Sequence, residues 1–183
     1  MQSPHTCDYN AGMSEHEQQE KKMGVGMVIA AWVIALLLAS SLFNDLLEKQ
    51  HNPNLNLNQS SSEGERKVVL KRNKYGHYVA TGEINQQQVV FMLDTGASDV
   101  SIPANLADRL RLQRGTEVTY QTANGPITAY RTVLDEVRLG NIRLQNVRAS
   151  INPAVNEEVI LLGMSFLKHL DFHQQGNTLT LQQ

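Results

Sequence analysis

The pattern of apolar and polar residues divides the chain into an N-terminal part with one long apolar run and a C-terminal part with short alternating runs. Residues 23–43 contain no charged residue and are almost wholly apolar. About 20 helical residues span a ~30 Å hydrocarbon core, so this run predicts a transmembrane helix over residues 23–43. A cleavable signal peptide, whose apolar core is about 7–15 residues long, is the alternative.

The segments that flank the apolar run are polar. Residues 1–22 are predicted to be a polar tail, and residues 44–66, rich in Asn, Gln and Ser, a flexible linker. Lys21 and Lys22 precede the run, whereas acidic residues follow it, which places the N-terminus in the cytoplasm. We therefore expect a single-pass protein of the inner (cytoplasmic) membrane, with the remaining chain in the periplasm or another extracytoplasmic space.

From residue 67 onward the apolar positions follow the period of β-strands. Residues 78–84 alternate between apolar and polar, a polar turn follows, and residues 89–93 return as a partner strand that is apolar throughout. Residues 104–112 have the pattern of a short surface helix. The sequence therefore predicts an all-β domain over residues 67–183, with one or two short helices.

The apolar strand over residues 89–93 leads directly into an ionisable residue. We predict that this strand is buried on both faces, and it is followed by Asp94 and then Gly96. An ionisable group at the end of a buried strand costs several kcal/mol unless it is paired or hydrogen-bonded, which indicates a functional carboxylate. Gly96 permits a tight turn that brings backbone N–H groups towards Asp94. A turn or N-cap Asp after a core strand is the plainer alternative.

The strand and the residues Asp94, Thr95, Gly96, Ala97 and Ser98 resemble the active-site loop of the retropepsin-like aspartic proteases. In that family the Asp is the catalytic carboxylate, the Thr hydroxyl helps to lock two such loops together, and the residues after the Gly border the substrate. The resemblance therefore implies that Asp94, Thr95 and Gly96 form the catalytic loop and that Ala97 and Ser98 contact substrate.

A second part of the resemblance lies downstream, where the apolar residues 159–162 are followed by Gly163 and residues 164–167. In retropepsins a strand, a Gly and a short helix in this position pack behind the catalytic loop. The resemblance covers about residues 74–183 and implies a small retropepsin-like β-barrel.

The chemistry of the family requires two carboxylates about 3 Å apart that share one proton. One activates a water as general base, and the other donates a proton to the scissile carbonyl oxygen, so neither a metal nor a cofactor is expected. The chain supplies one Asp-Thr-Gly. The resemblance therefore implies a homodimer that pairs two Asp94 carboxylates, in an endopeptidase acting on a protein or peptide substrate.

A hairpin is predicted between the two parts of the resemblance. Residues 117–121 and 127–134 flank Asn124-Gly125, the strongest two-residue hairpin signal. Retropepsin-like enzymes carry their flap at this position, so Thr122, Ala123, Asn124 and Gly125 are expected to contact substrate. An ordinary surface hairpin is the alternative.

Two positions differ from many retroviral enzymes, which have Asp in place of Ser98 and Arg in place of Met164. In those enzymes the two residues form an ion pair at the subunit interface. Both are absent here, which leaves no orphaned charge and makes the match closer to bacterial-type relatives. A retropepsin-like dimeric binding or adaptor module with little proteolysis is the rival hypothesis, although the intact Asp94 favours the enzyme.

Charge and cysteine content exclude other classes of function. Residues 67–183 carry 12 Lys and Arg against 10 Asp and Glu, whereas residues 1–66 carry 4 against 8. Neither part has the concentrated basic face of a nucleic-acid-binding protein, so no nucleic-acid partner is expected. Cys7 is the only cysteine, which excludes a disulfide within one chain and a cysteine-rich zinc site.

Overall fold

The computed structural model describes residues 13–57, 66–122 and 125–183. The contacts divide the chain into two units, Met1–Leu46 and Leu47–Gln183. The predictions made for residues 1–12, 58–65 and 123–124 lie outside the described residues.

The first element is a long helix, α1, over Met13–His51. It begins within the segment predicted as a polar tail and ends within the segment predicted as a linker. Glu, Gln, Lys and Leu, which favour helices, flank the apolar run and extend the helix in both directions. Residues Gly26–His51 are long and apolar enough to cross a membrane, and a signal sequence would meet the same test. Side chains of this part such as Trp32 and Leu36 are about two-thirds exposed.

The second unit is mostly β, which confirms the predicted fold class. Its helices are α2 (Ala104–Arg109) and α3 (Met164–Leu167). Its strands are β1 (Lys67–Lys71), β2 (Val79–Ile84), β3 (Gln87–Leu93), β4 (Val100–Pro103), β5 (Glu117–Thr122), β6 (Gly125–Leu139), β7 (Ile142–Asn152), β8 (Ile160–Leu162), β9 (Asp171–Gln175) and β10 (Thr178–Gln182).

Six strands close into a barrel, in the order β2-β3-β8-β4-β7-β6, and β6 then returns to pair with β2. Strand β5 lies outside this ring, where it pairs with the first half of β6. Large side chains that include Phe91, Ile102, Ile151 and Phe166 are fully buried in the core. Closure removes free edges from these six strands, and the side chains that point inward form one core.

The strand predicted to be buried on both faces is buried on one. In β3, Val89 and Phe91 are buried, whereas Val90 and Met92 are only partly buried. In a single-layered barrel one face of each strand meets the core, and in this chain no second layer covers the other face of β3 completely. The prediction of two buried faces is therefore wrong for the single chain.

Strands β6 and β7 are longer than the sequence predicts. The polar pair Gln145 and Asn146 predicts a turn, and this prediction is wrong because β7 continues through Asn146 even though that residue has a left-handed φ of 53°. Pairing with β6 keeps the same register on both sides of this residue, as Leu134↔Val147 and Glu136↔Gln145. The long pairing with β6 therefore overrides the local turn preference of Asn.

Residues 52–57, here called the docking segment, pack on the β unit, in contrast to the flexible linker predicted over residues 44–66. Asn52 and Asn54 are both only 5% exposed. The Asn54 Nδ2 donates to Val79 O at 2.6 Å and to Lys71 O at 2.9 Å, and its Oδ1 accepts from Lys71 N at 2.7 Å. Asn54 also forms a parallel bridge with Ala80. Its side chain thus satisfies backbone groups of β1 and β2, which composition alone does not reveal.

A separate three-stranded sheet has the order β1-β10-β9. Strand β9 lies at its edge, and all five of its residues are exposed, with Phe172 at 50%. An exposed edge strand can pair with a strand of another chain.

Candidate active site

Asp94 lies where β3 ends, beside its parallel partner β8. The register pairs Leu93 with Leu162, and Asp94 N donates to Leu162 O at 3.2 Å. Gly96 N donates to Asp94 Oδ1 at 2.9 Å, so the loop turns back on the carboxylate as expected for Asp-Thr-Gly. Asp94 is partly buried, whereas Thr95 and Gly96 are exposed. The carboxylate therefore has one orienting hydrogen bond and one open side.

The two segments that carry the sequence resemblance lie in contact. Met164 N donates to Ala97 O at 2.8 Å, and Ser165 N donates to Ser98 O at 2.9 Å. A Cβ atom added at Gly163 would lie 2.6 Å from Ala97 O. Only a glycine lets the start of α3 approach this closely, so the glycine allows α3 to support the loop from behind.

The side chain of Ser165 extends this support to two further strands. It is buried, its Oγ accepts from Val100 N at 3.1 Å, and it donates to Arg148 O at 2.7 Å. The single hydroxyl therefore joins α3, the start of β4 and strand β7. Residues 94–99, here called the Asp loop, are thus held at both ends by packed elements.

The predicted hairpin is present as β5 and β6. Thr122 pairs with Gly125, and the Thr122 Oγ1 donates to Gly125 O at 2.7 Å. Gly125 has φ of 103°, a conformation that favours glycine, and it is the first residue of β6. Ala123 and Asn124 lie outside the described residues. Substrate contact by these four residues stays a prediction.

A side-chain hydrogen bond connects the hairpin to the Asp loop. The Tyr120 Oη of β5 donates to Asp99 Oδ2 at 2.8 Å. Burial first, and then the hydrogen bond and the negative charge of Asp99, raise the pKa of the Tyr120 phenol above its ordinary value of 10.0. Asp99 lacks the apolar strand and the Thr-Gly that accompany Asp94, and the sequence pattern assigns a role to neither Asp99 nor Tyr120. The only signal was the position of Asp99, five residues after Asp94.

Arg148 lies on the other side of Asp99. The Arg148 Nη2 is 3.5 Å from Asp99 Oδ1, which is within ion-pair distance, although the contact does not have hydrogen-bond geometry. The Asp99 side chain is only 16% exposed, and it is stabilised by the hydrogen bond from Tyr120 and by the positive charge of Arg148. As for metals, no group of three or more His, Cys, Asp and Glu side chains in the described part of the chain could hold an ion.

The chain resembles known proteins over the same region. Residues 80–169 match a family model described as gag-polyprotein putative aspartyl protease. An uncharacterized protein in the cobV 5' region of Sinorhizobium sp is 32% identical over 118 residues, covering 63% of this chain and 51% of that protein. The uncharacterized protein RP867 of Rickettsia prowazekii (strain Madrid E) is 31% identical over 104 residues, covering 55% of this chain and 44% of that protein. The chain thus spans about half the length of these relatives.

A solved structure has the same fold. The crystal structure of a retropepsin-like aspartic protease from Rickettsia conorii matches with a TM-score of 0.52 and 25% sequence identity, covering 64% of this chain and 90% of that one. The family match, this shared fold and the Asp loop supported by Gly163 lead to one conclusion. The β domain has the retropepsin-like fold and is similar to the retropepsin-like aspartic proteases.

Proposed function

We propose that the chain is a membrane-anchored aspartic endopeptidase that acts as a homodimer on protein or peptide substrates. The family and the fold indicate a peptidase. The observation that carries the proposal is the placement of Asp94, whose carboxylate is oriented by Gly96 N on a loop that α3 supports from behind. A turn Asp with no chemical role would not need such support.

The dimer follows from the chemistry of the site. Two carboxylates are required, and the chain contains one Asp-Thr-Gly. The open side of Asp94 and the exposed Thr95 leave the loop accessible to a second copy. The exposed edge strand β9 offers a surface for an isologous contact, in which β9 of each copy pairs with its equivalent across a two-fold axis.

In the proposed reaction the two Asp94 carboxylates share one proton, because two like charges so close cannot both ionise. The ionised carboxylate takes a proton from a bound water, and the oxygen of this water attacks the peptide carbonyl carbon. The protonated carboxyl donates its proton to the carbonyl oxygen, which gives a tetrahedral diol. When the C–N bond breaks, the nitrogen receives a proton from the site, and one diol hydroxyl returns its proton to the pair.

The apolar part of α1 is proposed to be a transmembrane anchor in the inner membrane. Lys21 and Lys22 precede this part and support an N-terminus in the cytoplasm, with the β domain in the periplasm. Confinement to a membrane raises the effective concentration of two copies and favours the dimer. Protease added outside spheroplasts should digest the β domain. Full protection of a domain that is digested after lysis would show the opposite orientation.

The catalytic role is tested with the full chain in detergent micelles and a peptide library read by mass spectrometry. Asp94→Asn keeps the shape of the side chain but cannot share the proton, so cleavage should fall by at least about 10²-fold. Asp108→Asn is the matched control, since Asp108 is an exposed carboxylate in a surface ion pair with Arg114. Near-normal turnover by folded Asp94→Asn would reject the assignment.

Subunit mixing tests the dimer separately. Excess Asp94→Asn chain should suppress wild-type activity, because hybrid dimers contain one functional carboxylate. If wild-type activity is unchanged by the mixture and its specific activity stays constant down to monomer concentrations, the two-Asp site is wrong. A wild-type dimer that binds peptides without cleaving them would support the binding module instead.

A further inference from the structure

A cleft of about 720 Å³ lies beside the contact between the hairpin and the Asp loop. Its charged lining consists of four arginines and two aspartates: Arg111, Arg114, Arg131, Arg148, Asp99 and Asp135. Four positive charges against two negative ones give the lining a formal charge of +2. The β domain as a whole is nearly neutral, so the charge of this cleft does not simply reflect the composition of the domain.

Two of the four arginines already have acidic neighbours. Arg114 is 3.3 Å from Asp108, and Arg148 is 3.5 Å from Asp99. By contrast, Arg111 and Arg131 have no acidic partner within ion-pair distance among the residues that the structure describes. These two guanidinium groups are therefore available to an anionic ligand.

The backbone at Arg111 is an independent sign that its side chain has a use. Arg111 has φ of 55°, in the left-handed region, at the end of α2, where Leu112 N donates to Ala107 O at 2.9 Å. Helices that end in this way usually have glycine or asparagine at the left-handed position. An arginine there is strained, and the available guanidinium gives a reason to keep it.

The cleft lies within reach of a substrate held at Asp94. Asp99, which lines the cleft, follows Asp94 by five residues, and an extended chain covers at most about 3.6 Å per residue. The wall of the cleft therefore begins no more than about 18 Å from Asp94. An extended peptide rises about 3.3 Å per residue, so this distance corresponds to about five residues from the scissile bond.

We infer that this cleft is a specificity subsite that binds an acidic side chain, Asp or Glu, located within about five residues of the scissile bond. The guanidinium groups of Arg111 and Arg131 bind the substrate carboxylate, since Arg presents paired N–H donors that match the two carboxylate oxygens. Asp99, held by Tyr120 and Arg148, forms the fixed wall of the cleft. This inference rests on the proposed peptidase function.

The test uses the full chain in detergent micelles and pairs of peptides that differ only by Glu or Gln at one position, scanned over five residues on each side of a cleaved bond. At one position the KM for the Glu peptide should be about three- to tenfold lower than for the Gln peptide. Added NaCl should reduce this difference because the cleft is open to solvent.

Three variants assign the preference to the cleft. Arg131→Gln should remove most of the preference for Glu while leaving cleavage of the Gln peptide unchanged. Arg111→Gly should do the same without loss of thermal stability, because glycine suits the left-handed backbone, so a general structural defect would not explain the result. Arg143→Gln is the matched control, since Arg143 pairs with Glu136 and does not line the cleft.

The outcomes separate this inference from the proposed function. Cleavage with equal KM values for Glu and Gln at every position would overturn the acidic subsite and leave the peptidase standing. If no peptide is cleaved, the same peptides carrying fluorescein are bound to the full chain and followed by anisotropy. Tighter binding of a Glu peptide, lost in Arg131→Gln, would support the subsite without the peptidase, whereas equal binding would overturn the subsite as well.

Discussion

The Asp loop and the β5–β6 hairpin border the same region but are held in different ways. The loop follows a core strand, and α3 binds it through backbone hydrogen bonds to Ala97 and Ser98. Strand β5 pairs with β6 alone in the described sheet, and its residues are exposed or only partly buried. A side-chain hydrogen bond from Tyr120 to Asp99 connects the two regions.

The difference matches two separate tasks, which are holding the reacting carboxylate in place and admitting the substrate to it. A reacting carboxylate must be held closely, because a displacement of about 1 Å can cost about 10²-fold in rate. A cover over the substrate must open and close, which requires few permanent contacts. The loop has the backbone contacts that placement requires, and the pairing of β5 with β6 alone in the described sheet fits the proposed role of the hairpin as a cover.

The largest effect is expected when the support behind the Asp loop is broken. In Gly163→Ala the new Cβ would lie 2.3 Å from Asp99 O and 2.6 Å from Ala97 O, and both are backbone atoms that cannot move aside alone. We expect a loss of about 3 kcal/mol in the free energy of unfolding, together with loss of peptide cleavage. Denaturant unfolding and a cleavage assay measure the two effects.

Gly176→Ala is the control for this substitution. Gly176 also has a special backbone, with φ of 58°, but nothing lies within 4 Å of an added Cβ. The free energy of unfolding of Gly176→Ala should fall by only about 1–2 kcal/mol, and the variant should keep its cleavage activity. Equal losses in the two variants would show that the close approach at Gly163 does not matter.

The sequence predicted those parts of the fold and of the site that depend on neighbouring residues. The end of β3 at Asp94 and the hairpin around Gly125 both follow from local pattern. The docking segment could not be predicted, because Asn52 and Asn54 have the composition of a linker and are buried only through bonds to β1 and β2. Long-range side-chain contacts leave no local pattern.

The contact between Tyr120 and Asp99 illustrates that limit at the site. The two residues are 21 positions apart, and they meet only because the barrel brings β5 beside the start of β4. The same holds for Arg111 and Arg131, which come together in one cleft from separate elements. Sequence reasoning therefore identified the candidate catalytic loop but missed the residues proposed to set its specificity.

A smaller effect is expected when the loop support is weakened without a clash. Ser165→Ala removes the acceptor for Val100 N and the donor to Arg148 O, and leaves these backbone groups without their partner. The free energy of unfolding should fall by about 1–3 kcal/mol, and kcat should fall more than KM rises. Ser101→Ala is the control, because Ser101 lies in β4 but is only partly buried. This variant should change neither the free energy of unfolding nor the kinetic constants by much.

A still smaller effect is expected at the contact that joins the hairpin to the loop. Tyr120→Phe removes the donor to Asp99 Oδ2 but keeps the ring, so stability should fall by only about 0.5–1.5 kcal/mol. Because the hairpin loses its attachment, we expect KM to rise while kcat stays near the wild-type value. A large fall in kcat with unchanged KM would show that Tyr120 acts on the reacting groups instead.

The smallest effect concerns stability at alkaline pH. The pKa of Tyr120 is raised in the folded state by burial and by Asp99, so the unfolded chain releases this proton at lower pH than the folded chain. The stability that the protonated Tyr120 contributes is fully present below pH 10.0, and it is lost as pH rises from 10.0 through the folded-state pKa. The melting temperature of the wild type should therefore fall more steeply above pH 10.0 than that of Tyr120→Phe. Parallel curves would contradict the raised pKa.

The docking segment determines which cuts in the backbone would release the β domain. Residues 52–57 belong by contact to the β domain, although residues 58–65 separate them from its first strand. A single cut within residues 58–65 would therefore nick the domain without freeing it, because Asn54 would still hold the backbone of Lys71 and Val79. Separating the β domain from α1 would require a cut before Asn52, or a cut within residues 58–65 followed by dissociation of the docking segment from β1 and β2.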